Sequence, residues 1–353
     1  MNIYEQQASN RRMTAFLMAV FLAFFLVIGL GFDYFYLNFA PGGAQALAMT
    51  SDGYYAAGPA GAGSPVPFGT IIALLIGLGL TANSFFNGPR MVLRSTLARR
   101  AVSGVDKERQ FINVVTEMAT AAGLPAPAAY IIPDADLNAF ATGTSPANSV
   151  IAVTEGLLAT LNREELQGVV AHEMGHIRNF DIRLMTVSAA LMGAIALLSD
   201  FAGRSMRYGG RSSSYGGSRS SSGSSRRGGG AAALLLFVVW IVLVVLAPLI
   251  SRMLAMAISR QREFLADATG AELTRNPKAL ISALEKIRQA VMPTNAINNG
   301  VAHMCIADPR GSLIEEKLGF TADLLATHPP MQKRILALKA MAYQSEHPQP
   351  DFN

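Results

Sequence analysis

Two long apolar runs dominate the first quarter of the chain. Residues 13–31 (MTAFLMAVFLAFFLVIGLG) carry no charge and follow Arg11 and Arg12; residues 68–86 (FGTIIALLIGLGLTANSFF) are followed at once by Arg90, Arg94, Arg99 and Arg100. Each run is long enough for a membrane helix, and the basic flanks place both outer ends in the cytoplasm. The intervening residues 32–67 hold Gly, Pro, Ala and Ser but no Lys or Arg, the composition of a short translocated loop. A signal peptide would have a shorter apolar core, and the second run soon returns the chain, so the first is read as an uncleaved anchor.

Beyond residue 90 the periodicity changes. From Val105 to Ala122 apolar side chains recur at helical spacing (Phe111, Val114, Val115, Met118), and Gly123-Leu124-Pro125 ends the run. Three short apolar stretches, Ala128–Ile132, Leu137–Thr142 and Ser149–Val153, are separated by Pro, Asp, Gly and Asn and predict a small antiparallel sheet. Asn162 with Glu165 three residues later has the form of a capping box, opening a helix that runs through residue 176. Leu184–Leu198 and Ala231–Ile250 are two further apolar segments, the first short for a span and the second long enough. Residues 203–230 between them are almost all Gly, Ser, Arg and Tyr, with six arginines, and predict a disordered connector. After Arg252 the chain is charged and helical, with helices expected over Pro277–Val291, behind an Asn276 cap, and over Pro329–Tyr343.

Composition narrows the class. With 51% hydrophobic and only 15% charged residues, the chain is too apolar for an ordinary soluble protein. The single cysteine, Cys305, excludes an intramolecular disulfide framework and Cys-rich metal sites, so any metal must take His and carboxylate donors. The net charge of +5 is not matched by any basic, aromatic-interleaved face, and no nucleic-acid partner is expected.

The candidate chemistry lies in the helix behind Asn162. His172-Glu173-Met174-Gly175-His176 is an H-E-x-x-H motif, whose two histidines share one helix face and can hold one zinc ion, with Glu173 beside the open coordination position as general base. A catalytic zinc needs a third protein ligand. Glu263, with Asp267 one turn later on the same face, suits that role, Asp267 then holding a ligating imidazole by its other N–H. The same two acids could instead form a solvated face paired with Arg260 and Arg262, and His303, His328 and His347 are rival ligands. Asp181, five residues after His176, is read as structural.

Taken in order, Asn138-Ala139-Phe140-Ala141-Thr142-Gly143, Val170–His176, Ser259–Asp267 and Thr327-His328-Pro329-Pro330 resemble the HtpX heat-shock membrane metalloproteases, and more distantly the CAAX prenyl proteases, over residues 1 to 343. The resemblance implies an α+β, zincin-like (gluzincin) domain, mostly helical with a small antiparallel sheet, fused to about four transmembrane helices. It implies a zinc endopeptidase of the cytoplasmic (inner) membrane, multi-pass, with its active site facing the cytoplasm and misfolded or damaged membrane proteins as substrates. It assigns His172, His176 and Glu263 to one zinc ion and Glu173 to catalysis, and makes Ala139, Phe140, Ala141, Thr142 and Gly143 an edge strand to which a substrate peptide adds. Asn138 and His328 would help hold the scissile carbonyl or the developing oxyanion.

The expected organisation is a membrane hairpin over residues 1–90, a first part of the protease domain over 91–183, the third and fourth apolar segments with their loop over 184–250, and the rest of the protease domain over 251–353. A noncatalytic scaffold with a structural metal and a prenyl-peptide protease are the competing readings. Structural zinc sites usually fill all four positions with protein ligands, and a prenyl protease would need more apolar segments for its chamber.

Overall fold

The computed structural model describes residues 3–36, 47–49, 55–57, 66–194, 260–290, 296–297, 300–307 and 329–347. The loop 203–230 and the apolar segment Ala231–Ile250 lie outside them. The chain divides into two compact units, one of Met1–Leu17, Asn83–Gly193 and Ser251–Asn353, the other of Met18–Ala82 and Ala194–Ile250.

Among the described residues two helices, not four, are long and apolar enough to cross a membrane: α1 (Ile3–Tyr36) and α2 (Phe68–Ser95). Both extend beyond the apolar runs that predict them. In the second unit, the carboxylate of Asp33 near the end of α1 accepts hydrogen bonds from the Gly69 and Thr70 amides (both 2.7 Å) and from the Thr70 hydroxyl (2.6 Å), capping the first turn of α2. A short hairpin, β1 (Leu47–Met49) with β2 (Tyr55–Ala57), lies between the two helices in sequence. The third apolar segment is helical over the described residues 181–194, and its Leu184, Val187 and Leu191 are buried. Residues 195–198 of that segment and all of the fourth lie outside the described residues, so the count of two spans is of the described residues alone.

The first unit holds the sheet and the site. Strands β3 (Arg99–Arg100), β4 (Ala128–Ile132), β5 (Ala139–Thr142) and β6 (Val150–Thr154) lie in the order β3-β4-β6-β5. The sheet is mixed, not antiparallel: β6 runs antiparallel to β5 but parallel to β4, with Ala128 opposite Val150 and Ile132 opposite Thr154. Every residue of β5 and of β6 is buried, although β5 is the edge strand.

Helices α3 (Asp106–Ala122), α4 (Glu155–Thr160), α5 (Arg163–Arg178), α6 (Arg260–Thr274), α7 (Pro277–Gln289) and α8 (Met331–Glu346) complete the unit. Each expected helix is present, with ends shifted by a few residues. Gly123 takes the left-handed conformation (φ 66°) that stops α3. Asn162 caps α5 as predicted: its side chain accepts from the Glu165 amide and the Glu165 carboxylate accepts from the Asn162 amide, both at 2.9 Å. One face of the sheet (Ile131, Ala139, Ala141, Ile151, Val153) packs on α3 and α5, while the other (Ile132, Phe140, Val150, Ala152) meets Val92, Met185, Val301 and Met304. A sheet covered on both faces leaves no alternation in its sequence.

Candidate metal centre

The site forms where α5 crosses α6. Two glycines let the backbones approach: a methyl group on Gly175 would stand 3.1 Å from the Ala266 Cα, and one on Gly270 would stand 3.1 Å from the His172 amide nitrogen. This close crossing brings the Glu263 carboxylate between the two imidazoles. Its oxygens lie 3.7 Å from His172 Nε2 and 3.6 Å from His176 Nε2. The three ligand atoms are within 4.8 Å of one another, and all three residues are buried. The rings stand at 90° to each other with centroids 4.9 Å apart.

The opposite nitrogen of each ring faces a carboxylate. His172 Nδ1 is 2.9 Å from Asp267 Oδ1, and His176 Nδ1 is 3.0 Å from Asp181 Oδ2. Each pairing fixes the tautomer with Nδ1–H donating to the acid and Nε2 free to coordinate. Asp267 is held in turn by Arg334 of α8, whose Nε and Nη2 donate to its two oxygens at 2.8 and 2.7 Å. Arg334, fully buried, also donates through Nη1 to the Ile306 carbonyl at 2.8 Å and approaches Glu263 Oε2 at 3.1 Å.

Glu173 is not one of the three clustered ligands. Both its carboxylate oxygens are buried without a well-formed hydrogen bond, and burial pushes its pKa up to about 7. The neighbouring His176, Arg334 and Ala141 backbone amide oppose that shift only in part, while the Glu263 charge adds to it. Burial lowers the pKa of His172; for His176 burial acts the same way, but the Asp181 bond and the charges of Glu263 and Glu173 outweigh it and raise the imidazole to about 9.

Residues 106–342 match the family described as Peptidase family M48. A Streptococcus uberis protein named Protease HtpX homolog is 37% identical over 339 residues, covering 96% of this chain and 100% of that protein. A Streptococcus mutans protein of the same name is 39% identical over 337 residues, covering 96% and 99%. The chain belongs to peptidase family M48. It is a metalloprotease by that membership. The crystal structure of S. mikatae Ste24p is similar at a TM-score of 0.42 and 16% identity, covering 78% of this chain and 59% of that one, too slight a likeness to bear on the site.

The M48 site fits a divalent cation on two counts. A tetrahedral ion with ligands at about 2.0–2.1 Å holds neighbouring donor atoms roughly 3.3–3.5 Å apart, close to the spacings from Glu263 to the two imidazoles. The buried groups around it also carry an excess of negative charge: Glu173, Asp181, Glu263 and Asp267 stand against Arg262 and Arg334. The electrostatics that favour a positive charge on His176 equally favour a cation placed between the ligands.

Burial also decides between the readings of Glu263 and Asp267. At 2% and 1% exposed, with Arg262 at 5%, they are not a solvated face. His303 donates through Nε2 to the Met185 carbonyl (3.1 Å) and His347 stacks on Tyr343, and neither is among the clustered ligands; His328 lies outside the described residues. The Asn138 side chain has local partners, donating to the Ala307 carbonyl at 3.2 Å and accepting from the Ala139 amide at 3.1 Å. Strand β5 is an edge strand, as expected, but its first residue is covered: the Ile306 amide donates to the Ala139 carbonyl at 2.9 Å, and Cys305 bridges to Phe140. Thr142 and Gly143 are tied to the Thr186 hydroxyl at 2.9 and 3.1 Å.

Sequence reasoning missed Arg334 and gave Asp181 too small a part. The signal for Arg334 was present: it falls in the buried stripe Met331, Arg334, Ile335, Leu338 and Ala342, where a lone cation implies a buried acidic partner.

Proposed function

We propose that the chain is a membrane-embedded zinc endopeptidase that hydrolyses peptide bonds of misfolded or damaged membrane proteins in stress response and quality control. The observation that carries this reading is the convergence of His172, His176 and Glu263 on one point, with the buried carboxylate of Glu173 nearby. Zinc held by the three side chains would supply an activated water at neutral pH and polarise a carbonyl. Glu173 would take the proton from the attacking water and hand it to the leaving amine. Asp267 and Asp181 keep both imidazoles in the coordinating tautomer.

An extended peptide adds to the outer edge of β5 at its Ala141 end, since the Ala139 end is taken by Ile306. His328 and Asn138 assist at the carbonyl oxygen, with the Asn138 amide turning from its local partners to do so. Spans α1 and α2 anchor the enzyme in the cytoplasmic membrane, and the arginines after residue 86 support an active site on the cytoplasmic side. The scaffold reading is disfavoured because the described residues offer three ligands where a structural zinc takes four.

The test uses the purified full-length chain in detergent with an unfolded protein substrate. Cleavage should cease on chelation and return with zinc, and Glu263→Ala should lose both metal and activity. Full cleavage by metal-depleted Glu263→Ala would overturn the proposal.

A further inference from the structure

The chain of contacts behind His176 does not stop at Asp181. The side-chain amide of Asn10, on the first turns of α1, donates one hydrogen bond to Asp181 Oδ1 at 2.6 Å and another to the Asn179 carbonyl at 2.9 Å. Asn10 is 3% exposed and Asp181 fully buried, so neither finds water as an alternative partner. Asp181 thus has one oxygen on His176 and the other on Asn10, and its carboxylate plane is fixed from both sides.

Neighbouring contacts hold the same turn. Gln7 Nε2 donates to the Arg178 carbonyl at 2.8 Å, and the Arg11 guanidinium lies 4.8 Å over the Phe180 ring. Phe180 adopts φ 59°, a left-handed conformation that a bulky residue takes only when its surroundings impose it. The turn leaving α5 is therefore set by α1 rather than by its own preferences. The sequence carries a matching feature: Gln6, Asn10 and Thr14 recur every four residues as a polar stripe and are all buried. A stripe of that kind ahead of an apolar span is not needed for membrane insertion.

We infer that Asn10 is a positioning residue of the metal centre, acting through Asp181 to orient His176. The inference rests on the proposed ligand set. The α1 helix, whose later residues form the first apolar span, thereby supplies a part of the metalloprotease site that a protease domain cut free of its N-terminal helix would lack.

The experiment compares the full-length wild type with Asn10→Leu, which keeps the branched skeleton and removes both donors, with Asp181→Asn, with the double variant and with His176→Ala. Zinc affinity is read by chelator competition, and the ligand field by the visible absorption of the cobalt(II)-loaded protein. Asn10→Leu should weaken zinc binding by about 10-fold, the low end of the range for hydrogen-bond partners of metal-binding imidazoles, and should shift the cobalt band. The double variant should be no weaker than Asp181→Asn alone, because both changes break one path. Asn10→Ser, whose shorter side chain cannot reach both acceptors, is read the same way if Asn10→Leu does not fold. Unchanged affinity and spectrum in the Asn10 variants, or effects of Asn10 and Asp181 that multiply, would overturn the inference. If His176→Ala also kept wild-type affinity, the ligand set itself would fall; if it lost zinc while the Asn10 variants did not, only the positioning role would.

Discussion

Replacing Arg334 by methionine is the most demanding perturbation of the scaffold behind the site. Arg334 is fully buried, its guanidinium forks onto both oxygens of Asp267, and a third nitrogen serves the Ile306 carbonyl and Glu263. Methionine has nearly the right length but no donors, so the Asp267 carboxylate stays buried without its cationic partner and Glu263 loses one of its own. Removing one partner of a buried pair costs about 3–5 kcal/mol. At roughly 2–4 °C per kcal/mol for a domain of 150–250 residues, the melting temperature should fall by roughly 6–20 °C. Asp267 also loses the group that orients it toward His172, so zinc affinity should fall by about 10–100-fold. Arg334→Lys restores charge but not the fork, and should recover part of the stability and less of the affinity. Thermal unfolding in detergent at one scan rate, with chelator competition, reads both quantities. A melting temperature within about 1 °C of wild type, together with unchanged zinc affinity, would refute the reasoning.

Two further predictions concern the support of the site. Glu165 closes the α5 capping box and bonds Lys286 (2.7 Å) and Ser282 (2.6 Å) on α7; Glu165→Ala should cost about 1–3 kcal/mol without changing the cleavage rate well below the melting point, as melting curves and assays at low temperature would show. Glu108 on α3 is gripped by both terminal nitrogens of Arg99 (2.7 and 3.1 Å), a bond that holds its carboxyl below the ordinary 4.5 despite burial. Its contribution is therefore fully present above pH 4.5 and is lost as the pH falls through the lower folded-state value, so Glu108→Gln should lower stability at neutral pH and flatten the acid limb of a stability-against-pH curve, the two curves converging at low pH.

Local chemistry made much of the fold and site legible. The Asn162–Glu165 box, the Gly123 stop and the Asn276 cap each lie within a few residues of the groups they satisfy, so the sequence alone places them. The cluster of His172, His176 and Glu263 was readable because a helix puts His172 with His176, and Glu263 with Asp267, on single faces. What depended on partners far along the chain was not. The parallel pairing of β4 with β6 is not revealed by short apolar runs, because β5 and β6 are equally buried. Arg262 looked like part of a charged surface because nothing local shows that α6 lies under the site. Asn10 and Asp181 are each unremarkable polar residues until the fold brings them to 2.6 Å.

In the proposed mechanism Glu173 carries the proton beside a metal it does not bind. Glu173→Gln keeps the size of the side chain and all three ligand residues, so the purified variant should hold as much zinc as wild type while cleavage of an unfolded protein substrate falls by about 10²–10⁴-fold. Zinc retained with cleavage undiminished would contradict it.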